Sequence, residues 1–189
     1  MIEGVKSILS KLIPNPILQL ADGTIITNQR FFKKVQMGYG FSVSKRFTGV
    51  ANGSYSDVYF ENPSGSGGNI YIIAIECSSL GSGWMDCYRN TTITASGTTL
   101  TPINLNFSST NNSIANIEYG GTYDITGATL VHETVLPGGS KVRAIGSVAE
   151  IGESVIIPNG YDLLVRLTNK SGTATDMSIR IIWWEEEVT

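Results

Sequence analysis

The chain has 189 residues, enough for one sizeable domain with an appendage, and 41% of them are hydrophobic, which is sufficient for a core. Only 15% are charged, against about 25% in a typical globular domain, so Gly, Ser, Thr and Asn supply much of the polar surface. The net charge is −3, and no apolar run approaches the ~20 residues of a membrane-spanning helix, which excludes a transmembrane protein of that kind.

The charge is distributed unevenly along the chain. Residues 1–46 hold seven of the 13 Lys and Arg residues and two of the 16 Asp and Glu residues, so they carry +5 and the remainder carries −8. A basic segment on an acidic body indicates that the two parts face different surroundings, although a solvated basic face gives the same pattern. The first 14 residues lack the continuous apolar stretch of a signal peptide, which predicts synthesis in the cytoplasm.

The first segment has the periodicity of an amphipathic helix. Its apolar residues recur at helical spacing, and Pro14 and Pro16 end the pattern. The apolar positions are Ile2, Val5, Ile8, Leu9, Leu12 and Ile13. A helix this short is marginal in isolation, so its apolar stripe must pack on its own domain, on a symmetry-related copy or on a host structure.

A hairpin is predicted next, because Asp22-Gly23 lies between two short apolar runs. The segment Arg30–Met37 follows, and its basic and aromatic cluster consists of Phe31, Phe32, Lys33 and Lys34. Such clusters can bind nucleic acid, but one short patch in an acidic protein does not favour that partner. We assign residues 1–38 as an N-terminal attachment arm that makes contact through the apolar stripe and the Phe31–Lys34 cluster.

From Tyr39 onward, short alternating runs of β-branched and aromatic residues are separated by Gly, Pro, Asn and Ser turns. This spacing is typical of a β-sandwich or a β-barrel. The strands are predicted at residues 39–50, 54–61, 69–77, 84–94, 103–107, 114–119, 129–136, 140–150, 154–157, 161–169 and 174–184. No long helical pattern follows residue 14, which excludes doubly wound α/β folds and their nucleotide sites.

Two residue pairs bear on how the strands pack. Trp183 and Trp184 are adjacent in the last strand, so one must face the core and the other needs a cover, such as a neighbouring subunit or the N-terminal arm. Cys77 and Cys87 lie on successive predicted strands joined by a plausible hairpin loop, which would bring the two thiols within reach of a disulfide. The lack of a secretory signal favours reduced, buried thiols instead.

The sequence offers little that resembles a catalytic or metal site. His132 is the only histidine, no G-x-S-x-G segment surrounds a serine, and Ser64–Gly68 lacks the Gly-Lys-Ser/Thr ending of a phosphate loop. A carboxylate pair for glycoside hydrolysis stays open, because folding rather than spacing would set it. Six aromatic residues are candidates for sugar binding, with core packing as the alternative for each: Tyr55, Tyr59, Trp84, Tyr88, Tyr119 and Tyr123. We predict no catalytic residue, no metal and no cofactor.

Three stretches of the chain carry a resemblance to known proteins. They are Phe60–Gly67 leading into Ile70–Ile72, Ile157–Arg166 leading into Thr168–Gly172, and Ser178–Glu185. Together they resemble small structural proteins of tailed bacteriophages, prophages and related viruses, over about residues 39–187. The resemblance implies a jelly-roll-like sandwich, often trimeric, that is displayed on a capsid or tail and has no catalytic residues.

We therefore expect an all-β protein, with an antiparallel, jelly-roll-like β-sandwich at residues 39–189 after an arm that contains a short helix and a hairpin. The expected function is that of a non-enzymatic virion structural protein, at the virion surface as capsid decoration or as a fibre-like protein. Its expected partners are further copies of itself in a homotrimer, and the major capsid protein or tail components. One alternative is a receptor- or carbohydrate-binding module of a tail, with a host-surface glycan as ligand, and a polysaccharide-cleaving enzyme is a third role.

Overall fold

The computed structural model describes residues 30–138 and 155–186, together with the backbone of residues 18–19, 25–26 and 148–149. The predicted hairpin is present, because β1 (Leu18–Gln19) pairs antiparallel with β2 (Ile25–Ile26). The helix predicted at residues 2–13 lies outside the described residues. A helix that the sequence analysis did not assign, α1 (Arg30–Gln36), precedes the β-domain.

Most strands of the β-domain lie close to the predicted positions, whereas the strand predicted at residues 140–150 lies outside the described residues except for the backbone of Val148–Ala149. The strands are β3 (Gly40–Val50), β4 (Tyr55–Asn62), β5 (Ile70–Ser79), β6 (Gly83–Arg89), β7 (Thr92–Ala95), β8 (Thr98–Thr99), β9 (Ile103–Asn104), β10 (Asn116–Tyr119), β11 (Thr122–Asp124), β12 (Thr129–Leu136), β13 (Val148–Ala149), β14 (Val155–Ile157), β15 (Tyr161–Asn169) and β16 (Thr175–Glu185). Two of the predicted turns contain Gly53 and Gly160 at φ of 79° and 83°, a region that glycine adopts without steric cost.

The long strands form two antiparallel sheets that pack face to face. Sheet I has the order β13-β5-β16-β3-β9, with β14 also paired to β5, and sheet II has the order β12-β6-β15-β4-β10-β8. Sheet I contains β3, β5, β14 and β16, and sheet II contains β4, β6, β12 and β15. Consecutive strands of this set therefore lie in opposite sheets, except that β6 and β12 both lie in sheet II. This is the arrangement of a jelly roll, so the predicted fold class is confirmed.

The connection between β6 and β12, residues 90–128, is an insertion with strands of its own. Its strands β7 and β11 pair with each other, β8 and β10 extend sheet II, and β9 extends sheet I. The single strand predicted at residues 84–94 is wrong, because Asn90 interrupts it with a left-handed φ of 59°. The carboxylate of Asp162 accepts hydrogen bonds from the backbone N–H groups of Asn90 and Thr91 at 2.9 and 3.0 Å, which fixes the turn.

The core lies between the two sheets and takes alternate residues from each strand. Trp183 is among its largest members and is fully buried. Its ring stacks on Phe41, with 6.0 Å between centroids, and meets Phe60 edge-on at 5.0 Å. A fully buried apolar side chain of this kind contributes about 1.5–3 kcal/mol to stability. The indole N–H donates to Glu185 Oε1 at 2.9 Å, so the polar atom of the ring is satisfied.

Trp184 faces the outer side of sheet I and is nevertheless only 3% exposed. Tyr71 stacks on its ring with 3.8 Å between centroids, and Lys34 Nζ of α1 lies 5.3 Å from the ring centroid. Tyr71 of the same sheet and Lys34 of the N-terminal arm therefore cover the second tryptophan together, so the arm provides part of the cover that the sequence predicted. The doubled tryptophan by itself no longer calls for a neighbouring subunit.

The hairpin proposed between Cys77 and Cys87 is wrong. Cys77 lies on β5 in sheet I and Cys87 lies on β6 in sheet II, and both are free, buried thiols. Facing sheets lie about 10 Å apart, whereas a disulfide needs Cα atoms within about 7 Å. The residues between these strands cross from one sheet to the other, so the successive strands are not neighbours in a sheet.

Candidate functional site

The residues assigned to attachment fall into two groups. Ile2, Val5, Ile8, Leu9 and Leu12 lie outside the described residues, so their role stays a prediction. Phe31, Phe32, Lys33 and Lys34 lie on α1. Phe32 and Lys33 are exposed, whereas Phe31 and Lys34 are partly buried, with the Lys34 ammonium near the ring of Trp184. One part of this cluster thus holds α1 to sheet I, and the other part is accessible to a partner.

The C-terminal end of α1 is tied to the insertion between β6 and β12. Asn106 Nδ2 donates to the carbonyl oxygen of Gln36, and Asn104 Nδ2 donates to that of Gly38, both at 2.9 Å. These bonds satisfy carbonyl groups at and just beyond the end of the helix. Side-chain hydrogen bonds as well as packing therefore fix the position of α1.

The outer face of sheet II carries two half-exposed aromatic rings in one cross-strand row. Thr168 of β15 is the register partner of Trp84 on β6 and of Tyr55 on β4. Trp84 is 48% exposed and Tyr55 is 53% exposed, so both keep accessible ring surface. Two strand spacings separate these residues, which puts their Cα atoms about 10 Å apart. We call Trp84, Thr168 and Tyr55 the aromatic row.

The next row on the same face is charged. Glu133, Asp86, Arg166 and Asp57 occupy adjacent register positions of β12, β6, β15 and β4. Arg166 donates through Nε and Nη2 to both carboxylate oxygens of Asp57, at 2.9 and 2.7 Å, and this ion pair is buried. The guanidinium carbon lies 3.9 Å from the centroid of the Tyr55 ring. These four residues form the charged row, and its ion pair supports one ring of the aromatic row.

Asp86 and Glu133 lie directly opposite each other, a placement of like charges that destabilises a sheet. Within residues 30–138 and 155–186, neither side chain has a hydrogen-bond or ion-pair partner. Burial raises the pKa of Asp86, the neighbouring charge of Glu133 raises it further, and the positive charge of Arg166 lowers it in part. A cavity of about 380 Å³ is lined by these two carboxylates together with Trp84, Thr134 and Val135. The site therefore offers two hydrogen-bond acceptors beside an exposed indole ring.

The insertion covers the middle of the same sheet face. Tyr123 of β11 stacks on Tyr59 of β4, with 5.3 Å between ring centroids, and Leu164, Tyr88 and Ile125 complete this small second core. Burial, and then nearby carboxylates, raise the pKa of Tyr59 and of Tyr123. The insertion does not cover the end of sheet II that holds the aromatic row, where Trp84 and Tyr55 stay exposed.

The six aromatic candidates for sugar binding therefore separate into two kinds. Tyr59 and Tyr123 are buried, and Tyr88 and Tyr119 are partly buried, with Lys45 Nζ 3.7 Å from the Tyr119 ring centroid. Tyr55 and Trp84 alone of the six are exposed. The sequence analysis missed the charged row, although a charged residue inside an apolar run, as Arg166 is, was the available signal.

The surroundings of the two cysteines keep both thiols protonated. His132 is partly buried on β12, and Cys87 is its register partner. Burial raises the pKa of the Cys87 thiol to about 12 and also raises the pKa of the Cys77 thiol. A thiol with a raised pKa is protonated near neutral pH and is a weak nucleophile.

In the part of the chain that the structure describes, no three His, Cys, Asp or Glu side chains are grouped to hold a metal ion. The helix found there is not long and apolar enough to span a bilayer. In comparisons with known proteins, no family model matches the chain, and no curated protein matches it.

Proposed function

We propose that this chain is a non-enzymatic structural protein of a virion surface, made in the host cytoplasm and carried as capsid decoration or as a fibre-like protein. The jelly-roll arrangement of sheets I and II supports the proposal, because it is the architecture that the resemblance to phage and prophage structural proteins implies. A fold by itself does not decide a function. The placement of the arm adds the second support.

The position of α1 is the observation that carries the proposal. The helix packs on the outer side of sheet I, whereas the aromatic row opens on the outer side of sheet II. The chain therefore enters the domain on one side and presents an open face on the other. A basic segment at residues 1–46 would be attracted to an acidic capsid or tail surface. The major capsid protein or tail components are the partners in this proposal.

The proposal includes a homotrimer with β-domains side by side. Because α1 covers Trp184, contact between copies would use another apolar surface. Leu130, Val131, Ile156 and Tyr161 are each about half exposed and line a cavity of about 560 Å³ beside β12 and β14. Closed symmetry would bury one such patch per copy. A stable monomer in light scattering at micromolar concentration would count against the trimer.

The experiment that tests the proposal asks whether the protein is part of a particle. Particles purified on a density gradient from cells that encode this chain should contain it by mass spectrometry. Antibodies against the β-domain should label the outside of intact particles in immunogold electron microscopy. Absence of the protein from purified particles, or labelling only after the particles are disrupted, would contradict the proposal.

A receptor- or carbohydrate-binding module of a tail is the second candidate function, and the aromatic row favours it. Core packing accounts for Tyr59 and Tyr123, but it does not account for Trp84 and Tyr55 at about half exposure on one open face. Capsid decoration alone predicts no sugar binding. A glycan array therefore separates the two functions.

A further inference from the structure

We infer that the aromatic row and the cavity beside it form a binding site for a neutral oligosaccharide. Trp84 and Tyr55 are the stacking platforms of this site. Asp86, Glu133 and Thr168 are the hydrogen-bonding partners of the ligand hydroxyl groups. The inference rests on the second candidate function and names its site and ligand chemistry, and it is the same whether the chain is carried on a capsid or on a tail.

The two rings match the apolar surfaces of a sugar chain. A pyranose ring presents C–H groups on its faces and hydroxyl groups around its edge. The accessible indole and phenol surfaces of Trp84 and Tyr55 suit the C–H faces, since aromatic side chains combine a large apolar contact with a polar end. A separation of about 10 Å between their Cα atoms suits an extended oligosaccharide that contacts both rings, rather than one monosaccharide.

The acceptors of the site match the hydroxyl groups. An ionised carboxylate only accepts hydrogen bonds, and bonds to a charged acceptor are stronger than bonds between neutral groups. Asp86 and Glu133 face each other, and among the described residues neither carboxylate accepts a hydrogen bond, so donated O–H groups would offset the cost of this arrangement. Thr168 lies between the two rings and can both donate and accept.

The rings are held in place before a ligand binds. Tyr55 lies on the guanidinium of Arg166, which the two hydrogen bonds to Asp57 fix in turn. Lys170 Nζ lies 4.3 Å from the centroid of the Trp84 ring. Side chains that are already ordered lose less conformational entropy on binding, which favours affinity.

A basic peptide is the other ligand that aromatic rings and carboxylates can take. The charges around the site do not favour it. The charged row contains three carboxylates and Arg166, and Lys170 adds a second positive charge beside Trp84. These charges sum to −1, and Lys170 Nζ already lies over the Trp84 ring, where a ligand cation would have to bind. A second cation there would be repelled by Lys170, so a neutral ligand suits this surface better. Binding of a neutral sugar should also change little with salt, whereas binding of a basic peptide should weaken.

The experiment uses the full chain and an array of neutral oligosaccharides and bacterial surface polysaccharides, followed by calorimetry with the oligosaccharide that binds best. Trp84→Ala, Tyr55→Ala and Asp86→Ala should each raise the Kd by at least about ten-fold, whereas Trp84→Phe keeps a ring and should raise it by less than about three-fold. Phe107→Ala is the matched control, because Phe107 is an aromatic residue that is 89% exposed and does not line this cavity, and it should leave the Kd unchanged.

Fluorescence gives a second readout on the unmodified protein. The chain has three tryptophans, and Trp183 and Trp184 are buried, so acrylamide quenching reports on Trp84. The bound oligosaccharide should protect Trp84 from quenching. This measurement decides the inference even if Trp84→Ala fails to fold.

Each contrary outcome has a separate meaning. If no array glycan binds the full chain, the inference and the second candidate function both fail, and the proposed particle location stands on its own test. If a glycan binds without protecting Trp84 and with unchanged affinity in the Trp84 and Tyr55 variants, the second candidate function holds and this site is wrong. Binding of basic peptides alone, lost in about 0.5 M salt, would also overturn the inference.

Discussion

Breaking the buried ion pair of the charged row should strongly lower the free energy of unfolding of this protein. The side chains of the pair are 10% exposed for Arg166 and 3% exposed for Asp57, and both carboxylate oxygens accept bonds from the guanidinium. Asp57→Asn keeps the shape but removes the charge that compensates Arg166. Breaking a buried pair in this way costs about 3–5 kcal/mol, because an uncompensated charge stays buried. With a urea slope of about 2 kcal/mol/M, the unfolding midpoint should fall by about 2 M.

A double variant and an exposed ion pair are the controls. Asp57→Leu with Arg166→Leu removes both charges together and should recover most of the loss, since apolar replacement of a buried pair is often neutral or stabilising. Glu76 and Arg180 form a second pair at 3.2 Å, but their side chains are 34% and 46% exposed. Glu76→Gln should therefore cost less than about 1 kcal/mol.

Urea unfolding followed by circular dichroism measures all four proteins, after gel filtration has shown that each is folded. A loss below about 1 kcal/mol for Asp57→Asn would mean that water reaches the pair, and it would refute the burial reasoning. A double variant as unstable as the single one would refute the explanation by an unpaired charge.

Trp184→Ala should cost about 3–5 kcal/mol and speed hydrogen exchange in residues 30–36, because the ring anchors α1; unchanged exchange would contradict this. Cys77 and Cys87 should react with a thiol reagent only on unfolding, since both are buried and have a raised pKa, so rapid labelling of the native protein would contradict their placement. Burial raises the pKa of Glu185 above its usual value of 4.5. Its protonated form should therefore stabilise the fold fully below that value, and this stabilisation should be lost as the pH rises through the raised pKa. The free energy of unfolding should fall over this pH range, and Glu185→Gln should make that fall smaller. An unchanged dependence of the unfolding free energy on pH in the variant would contradict this.

Several strands could be predicted from the sequence because their limits have local causes. The strands at residues 129–136 and 161–169 begin and end as predicted. Short runs rich in β-branched and other apolar residues define each of them, and Pro, Gly or Asn turns adjoin them. Helix α1 was missed because seven residues are too few for a helix to be stable alone. Its contact with Trp184 belongs to tertiary structure and leaves no local signal.

Trp84 and Tyr55 were among the six aromatic candidates, but the arrangement of the site could not be predicted, because a strand pattern shows which residues share a face but not which strands are neighbours. Trp84 and Tyr55 meet Thr168 only through the order of strands in sheet II. The same limit produced the error at Cys77 and Cys87, whose strands follow each other in the chain but lie in opposite sheets. Resemblance suggested the jelly roll, and cross-strand register was needed to assemble the rows.

Particle binding by a truncated chain tests the central claim most directly, namely that the arm attaches and the β-domain is displayed. The truncation should remove residues 1–29 and keep α1, because α1 covers Trp184. The full chain, the truncated chain and an Ile8→Asp, Leu12→Asp double variant are each mixed with particles that lack the protein, and co-sedimentation is measured. We predict that the truncated chain keeps its β-rich circular dichroism spectrum but no longer sediments with particles, and that the double variant binds more weakly. Co-sedimentation of the truncated chain at the level of the full chain would contradict the account.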